Sequence, residues 1–194
     1  MISMIKVVTE RVPYLYACCD TLLTAEDIAS SMRFQHERRR MEHLTWRRIV
    51  RNELGRGVAI SYNDVGAPIV DLPNTYISVA HGGGMAVVAI SDRPIGVDIE
   101  SLERDFTRAA DRYMSAEELA LSTRHEWAAM VWTAKEALYK LYGRRGLDLL
   151  NDLTVFDYDQ EAQTLHGRVK GGDEATISFN FIDDKIIIAT AQLR

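Results

Sequence analysis

The sequence predicts an α+β fold, a pseudo-dimer of two similar lobes, and three observations carry that prediction. The chain has 194 residues, more than one small domain needs and fewer than two ordinary ones. Helix-like and strand-like stretches recur in both halves in one order: a long helix, a glycine stop, then a strand pair. Positions one hundred apart also match, Ile77-Ser78 with Ile177-Ser178 and Ala89 with Ala189. The expected crossing lies at Pro94-Ile95-Gly96, which divides the chain into residues 1–92 and 93–194. A cleft at such a joint is a common place for ligands.

Taken in order, Arg33 to Leu54 reads as a helix because it lacks Gly and Pro and repeats apolar residues near a 3.6 period. Gly55 and Gly57 stop it. Asn63 to Pro68 is turn chemistry, and Tyr76 to Ala80 and Met85 to Ser91 read as a strand pair. In the second half, Glu126 to Tyr142 is the helix and Gly143-Arg144-Arg145-Gly146 its stop. Leu153 to Tyr158, Thr164 to Val169, Thr176 to Ile182 and Lys185 to Ala191 follow as strands.

Composition narrows the function classes. With 47% hydrophobic and 26% charged residues the chain can build a packed interior. A formal charge of −5 argues against generic binding to nucleic acid or an anionic membrane. No apolar run approaches the roughly 18 to 20 residues of a membrane span. Lys6, Glu10 and Arg11 interrupt the first twenty residues, so no signal peptide is expected. Cys18 and Cys19 are adjacent and poorly placed to bridge each other, which fits a reducing cytoplasm. Replacement of a partner subunit by a second lobe predicts a monomer.

Four features could carry chemistry. In Gly96-Val97-Asp98-Ile99-Glu100, strand alternation puts Val97 and Ile99 on one face and both carboxylates on the other. Alone, that pattern describes a half-exposed strand. In Trp132 to Lys140, helical spacing groups Trp132, Glu136, Tyr139 and Lys140 on one side, which alone describes an ordinary i,i+4 ion pair. Together, Asp98, Glu100 and Glu136 offer three hard oxygen ligands suited to Mg²⁺, with Lys135 and Lys140 beside them to meet a phosphate. Eight arginines stand against three glutamates between Arg33 and Arg56, and Arg40, Arg47 and Arg51 recur on one helical stripe that fits a phosphate-binding face or a solvated one. His81 ends a strand before Gly82-Gly83-Gly84, where backbone N–H groups can approach a ligand, although a lone histidine there is often structural.

With these residues in view, the chain resembles the 4′-phosphopantetheinyl transferases, in their larger surfactin-type branch. The likeness runs through the arginine-rich helix with Glu42 and Arg47, Gly66-Ala67-Pro68, Ile77 to His81, Gly96 to Glu100, and Trp132 to Lys140. It implies a two-lobed fold binding coenzyme A between the lobes. It also implies Mg²⁺-dependent transfer of phosphopantetheine to a serine of an apo acyl or peptidyl carrier protein, with release of 3′,5′-adenosine bisphosphate. Asp98, Glu100 and Glu136 would hold the ion, and Glu136 would be the base for the serine. Lys140 would stabilise or protonate the leaving phosphate. His81 and the arginines near Arg40 and Arg47 would receive the phosphates of the nucleotide. Glu118 stands where the family often has another acidic residue. Ala67 departs from the basic residue usual in that turn, and Gly82 from the usual serine, which leaves a non-catalytic coenzyme A or nucleotide-binding module as the alternative.

Overall fold

The computed structural model describes residues 5–14 and 20–194, so the expectation about Cys18 and Cys19 lies outside the described residues. The first half comprises β1 (Ile5–Arg11), α1 (Ala25–Ser31), α2 (Glu37–Leu54), a small hairpin of β2 (Ile60–Tyr62) and β3 (Pro68–Val70), then β4 (Tyr76–Gly82) and β5 (Met85–Ser91). The second comprises β6 (Gly96–Ser101), a 3₁₀ segment at Thr107–Arg112, α3 (Ala116–Leu119), α4 (Trp127–Tyr142), and β7 (Leu153–Asp159), β8 (Thr164–Val169), β9 (Glu174–Ile182) and β10 (Ile186–Leu193).

The strands form two main antiparallel sheets, β1-β5-β4 and β6-β10-β9-β8-β7. The connectivity repeats: the strand before each long helix pairs with the last strand after it, β1 with β5 and β6 with β10. The offset of one hundred does not survive at residue level. Ala89 faces Ser78 across its hairpin, whereas Ala189 faces Phe179, a slip of one position.

Alternation along the strands explains the layering. From β5, Ala86 and Val88 pack under Trp46, Ile49 and Val50 of α2, while Val87 and Ala89 turn to the opposite face. From β10, Ile187, Ala189 and Ala191 pack under Met130, Ala134 and Leu138 of α4, while Ile186 and Ile188 turn away. Those opposite faces share one apolar cluster with Val97 and Ile99 of β6. The layers therefore run helix, sheet, sheet, helix, and each buried Val or Ile contributes about 1.5–3 kcal/mol.

Two elements correct the sequence reading. The arginine-rich helix begins at Glu37, not Arg33, because a separate helix, α1, ends just before it and residues 32–36 make the turn. Neither α1 nor β1 is apparent from apolar periodicity. The signal for α1 is its capping box: Thr24 Oγ1 accepts from Asp27 N at 3.2 Å, and Asp27 Oδ2 from Thr24 N at 2.9 Å.

Candidate active site

The end of β4, the edge strand β6, the first turns of α2 and the second half of α4 meet where the two sheets adjoin. Gly96 lets β6 lie directly against α4, since a Cβ there would overlap the carbonyl of Ala137. Val97 and Ile99 are almost fully buried in the shared core, which forces Asp98 and Glu100 towards α4. Lys140 answers from the helix, donating from Nζ to Asp98 Oδ1 at 2.7 Å and to Val97 O at 3.0 Å. Trp132 Nε1 donates to Glu100 Oε1 at 2.8 Å, and Arg104 Nη1 reaches the same oxygen at 3.1 Å. The Arg104 guanidinium lies 4.6 Å from the Phe106 ring centre and 5.2 Å from that of Trp132.

The three carboxylates share one electrostatic neighbourhood. Burial raises the pKa of Asp98, against the opposing charge of Lys140. Burial and then the Asp98 charge raise Glu100, and burial, Asp98 and Glu100 raise Glu136, which Lys140 and Arg104 oppose. Opposite them, His81 contacts Arg39 Nη1, 2.6 Å from its Nε2, and Glu42 Oε2, 3.4 Å from its Nδ1. Burial lowers its pKa, as do the charges of Arg39 and Lys140, while Glu42 works the other way.

The donor set suits a hard divalent cation in kind. Asp98 Oδ2 is buried without a hydrogen-bond partner, the sort of atom an ion would satisfy. The three side chains are neighbours but not a ligand cage: among the described residues, no three His, Cys, Asp or Glu side chains are placed to hold an ion together. Lys140 occupies Asp98 Oδ1, and Trp132 and Arg104 occupy Glu100 Oε1. Asp98 Oδ2 is left open while Lys140 holds Oδ1, so closing on an ion requires the carboxylates to draw together.

Two expected phosphate ligands lie elsewhere. Lys135, adjacent in sequence to Glu136, is 0% exposed and donates to Glu118 Oε2, Tyr113 O and Leu149 O at 2.7–2.8 Å. It points to the far side of α4 and meets no phosphate at the seam. Arg47 is 1% exposed and donates from Nε to Asp27 Oδ1 at 2.5 Å. The Arg47–Arg51 stripe is real, but it faces α1: Arg51 donates to the same carboxylate at 2.9 and 3.0 Å. Burial disfavours charge on Asp27, yet the bonds from Arg51 and Arg47 hold its pKa well below the usual carboxylate range. Arg40 is half-buried, and its Nε donates to Phe34 O at 2.7 Å across the turn. Glu118 does not join the carboxylates either, since Ser115 N, Val155 N and Lys135 surround it.

The residues that the sequence reading passed over are Arg39 and Arg104. Arg39 lies within the arginine run but off the stripe of Arg40, Arg47 and Arg51. It is Arg39, one residue earlier, that reaches His81. Cavities open beside the cluster. One of about 850 Å³ lies along Arg104, Phe106 and Phe181. Another, of about 310 Å³, lies between the Gly66–Pro68 turn and the end of α4, beside Lys140.

This geometry can be set against known proteins. Residues 94–191 match the model of the 4′-phosphopantetheinyl transferase superfamily, a span that holds β6, α4 and all three carboxylates. That is half of the chain. The chain belongs to the 4′-phosphopantetheinyl transferase superfamily. It is 31% identical over 99 residues to 4′-phosphopantetheinyl transferase ffp of Bacillus subtilis, covering 47% of this chain and 44% of that protein. The identity is 33% over 86 residues to psf-1 of Bacillus pumilus, covering 41% and 37%. A longer match, 24% identical over 157 residues, covers 74% of the chain and 70% of Sfp of Bacillus subtilis strain 168. The matches to ffp and psf-1 thus span less than half of those relatives. No helix among the described residues is long and apolar enough to cross a membrane.

Proposed function

We propose that this protein transfers 4′-phosphopantetheine from coenzyme A to a serine of an apo acyl or peptidyl carrier protein, releasing 3′,5′-adenosine bisphosphate. The observation that carries the reading is that Asp98, Glu100, Glu136 and Lys140 are electrostatic neighbours between β6 and α4, with Lys140 bonded to Asp98, in a chain of this superfamily. The rest of the reading is a division into lobes at 1–92 and 93–194, a monomer, and a cytoplasmic setting.

A serine hydroxyl is a poor nucleophile at neutral pH and needs a positioned base. Glu136 suits that task because burial and two neighbouring carboxylates raise its affinity for a proton. It accepts the serine proton as the hydroxyl oxygen bonds to the β-phosphorus and the diphosphate bridge breaks. Asp98, Glu100 and Glu136 would hold Mg²⁺, which supplies screening of the diphosphate charge when bound. Lys140, released from Asp98, stabilises the departing phosphate. Arg39 and His81, on the α2 side, receive a nucleotide phosphate in place of Arg47.

Incubation with coenzyme A, Mg²⁺ and a panel of apo carriers tests the reading, with the carrier then weighed by mass spectrometry. The expected result is a gain of one phosphopantetheine on at least one carrier. The bonds that already occupy Asp98 and Glu100 favour, as a second reading, a module that binds coenzyme A without transfer. Tight coenzyme A binding with no mass gain on any carrier would install that reading instead.

A further inference from the structure

Glycine wedges β6 in place at two points. On one flank Gly96 admits the Ala137 carbonyl of α4, and on the other Gly82, at the end of β4, admits the Ile99 carbonyl of β6 itself. A Cβ on Gly82 would overlap Ile99 O and stand 3.1 Å from Ile99 C and 3.5 Å from Glu100 Cα. All three atoms are main chain, so no side-chain rotation relieves the overlap. The backbone angle is not the reason for glycine here. Left-handed values belong to the next two residues, Gly83 at φ 56° and Gly84 at φ 78°, which form the turn into β5. Close approach alone requires Gly82.

That approach joins the two halves beside the candidate site. β6 is the edge strand of the second sheet, and β4, an edge strand of the first, meets it at Gly82. Four residues earlier on β4, Ser78 Oγ accepts from Val97 N at 3.0 Å, a second tie across the same seam. His81 immediately precedes Gly82, and Ile99 stands between Asp98 and Glu100. A shift between Gly82 and Ile99 therefore displaces His81 relative to both carboxylates, while each group stays fixed within its own half.

We infer that Gly82 is a positioning residue, which sets the span between the nucleotide phosphate at Arg39 and His81 and the diphosphate at Asp98, Glu100 and Glu136. The role rests on the transferase reading and deepens it. Coenzyme A carries both groups on one covalent frame, so a receptor divided between two halves has to match their separation. Serine, which the resemblance leads one to expect at position 82, does not enter without pushing β4 off β6. Glycine there is a condition for this seam, rather than a lost hydroxyl contact.

The test is calorimetric titration of the whole chain with coenzyme A in the presence of Mg²⁺, and separately with adenosine 3′,5′-bisphosphate, which lacks the diphosphate. Gly82→Ser and Gly82→Ala keep near-native affinity for the bisphosphate and lose about tenfold for coenzyme A, the scale of one charge-assisted hydrogen bond. Ser78→Ala drops the other tie without adding an atom and shifts the two affinities the same way by a smaller factor. Should the Gly82 variants fail to fold, that split in Ser78→Ala decides the matter. Ile49→Val trims the core under α2, away from the seam, and as a control for lost stability changes neither affinity. Coenzyme A affinity at or above native in Gly82→Ser overturns the inference, because serine then fits. Equal weakening of both ligands overturns it too, since the damage is then general. If the native chain itself binds neither ligand, the transferase reading falls first, a result distinct from either of these.

Discussion

The long helices α2 and α4 occupy matching places in the two halves, and each sends cations both inwards and to the seam. In α2, Arg47 goes to the buried Asp27 and Arg39 to His81; in α4, Lys135 goes to the buried Glu118 and Lys140 to Asp98. The inward pair in each half staples a helix to its surroundings, and the outward pair faces the candidate site. Lys135 and Glu136 are neighbours in sequence, yet a helix turns about 100° between them, enough to separate a structural role from a chemical one. A basic residue within a motif is therefore not a ligand by membership alone.

Removing an inward cation should have the largest effect on stability. Lys135→Met leaves Glu118 buried without its counter-charge, and chemical denaturation should show a loss of about 3–5 kcal/mol. Lys140→Met, on the more exposed outward side, should cost less stability than Lys135→Met, because Asp98 takes up a proton more readily once its counter-charge goes, while transfer collapses. Equal stability losses in both would erase the distinction.

Glu136→Gln comes next. Carrier modification should fall by about a hundredfold or more, with the fold intact by circular dichroism. Retained turnover would remove Glu136 as the base. Gly96→Ala follows, because the new Cβ meets the Ala137 carbonyl and must push β6 away from α4. A stability loss of about 1–3 kcal/mol is expected, together with weakened transfer, as Asp98 moves with the strand.

The smallest effects are those of pH, and they have opposite signs in the two regions. Asp27 has a lowered pKa, so its contribution is present above the ordinary aspartate range and fades only in stronger acid. Asp98, Glu100 and Glu136 have raised pKa values, so their ionised forms oppose folding near neutrality and that cost is relieved as pH falls towards their folded values. Stability of the ligand-free chain should thus rise on mild acidification, more in the native protein than in Glu136→Gln. Transfer should decline over the same interval, beginning above the ordinary carboxylate range, because protonated carboxylates neither bind a cation nor accept a proton. A rate flat down to about pH 5 would contradict the assignment.

Much of this was legible beforehand. The strands of the second half and α4 follow from alternation and helical period, and their observed bounds differ from the expected ones by at most two residues. Asp98, Glu100, Glu136 and Lys140 were legible as a group because two short motifs have strong local periods that leave few orientations open. The start of α2 was not legible, since Arg33 to His36 are good helix residues whose fate depends on α1 packed before them. Nor was the burial of Lys135 and Arg47 legible, because their partners Glu118 and Asp27 lie 17 and 20 residues away on other elements.

The sequence by itself determined which side chains each strand and helix turns to the same side, because backbone geometry makes that a matter of counting. Only the tertiary structure decided which of those sides meets another charge in the dark and which opens on the seam. Burying a cation is costly unless a counter-charge waits for it, and that partner is supplied by packing between distant segments, not by any local period.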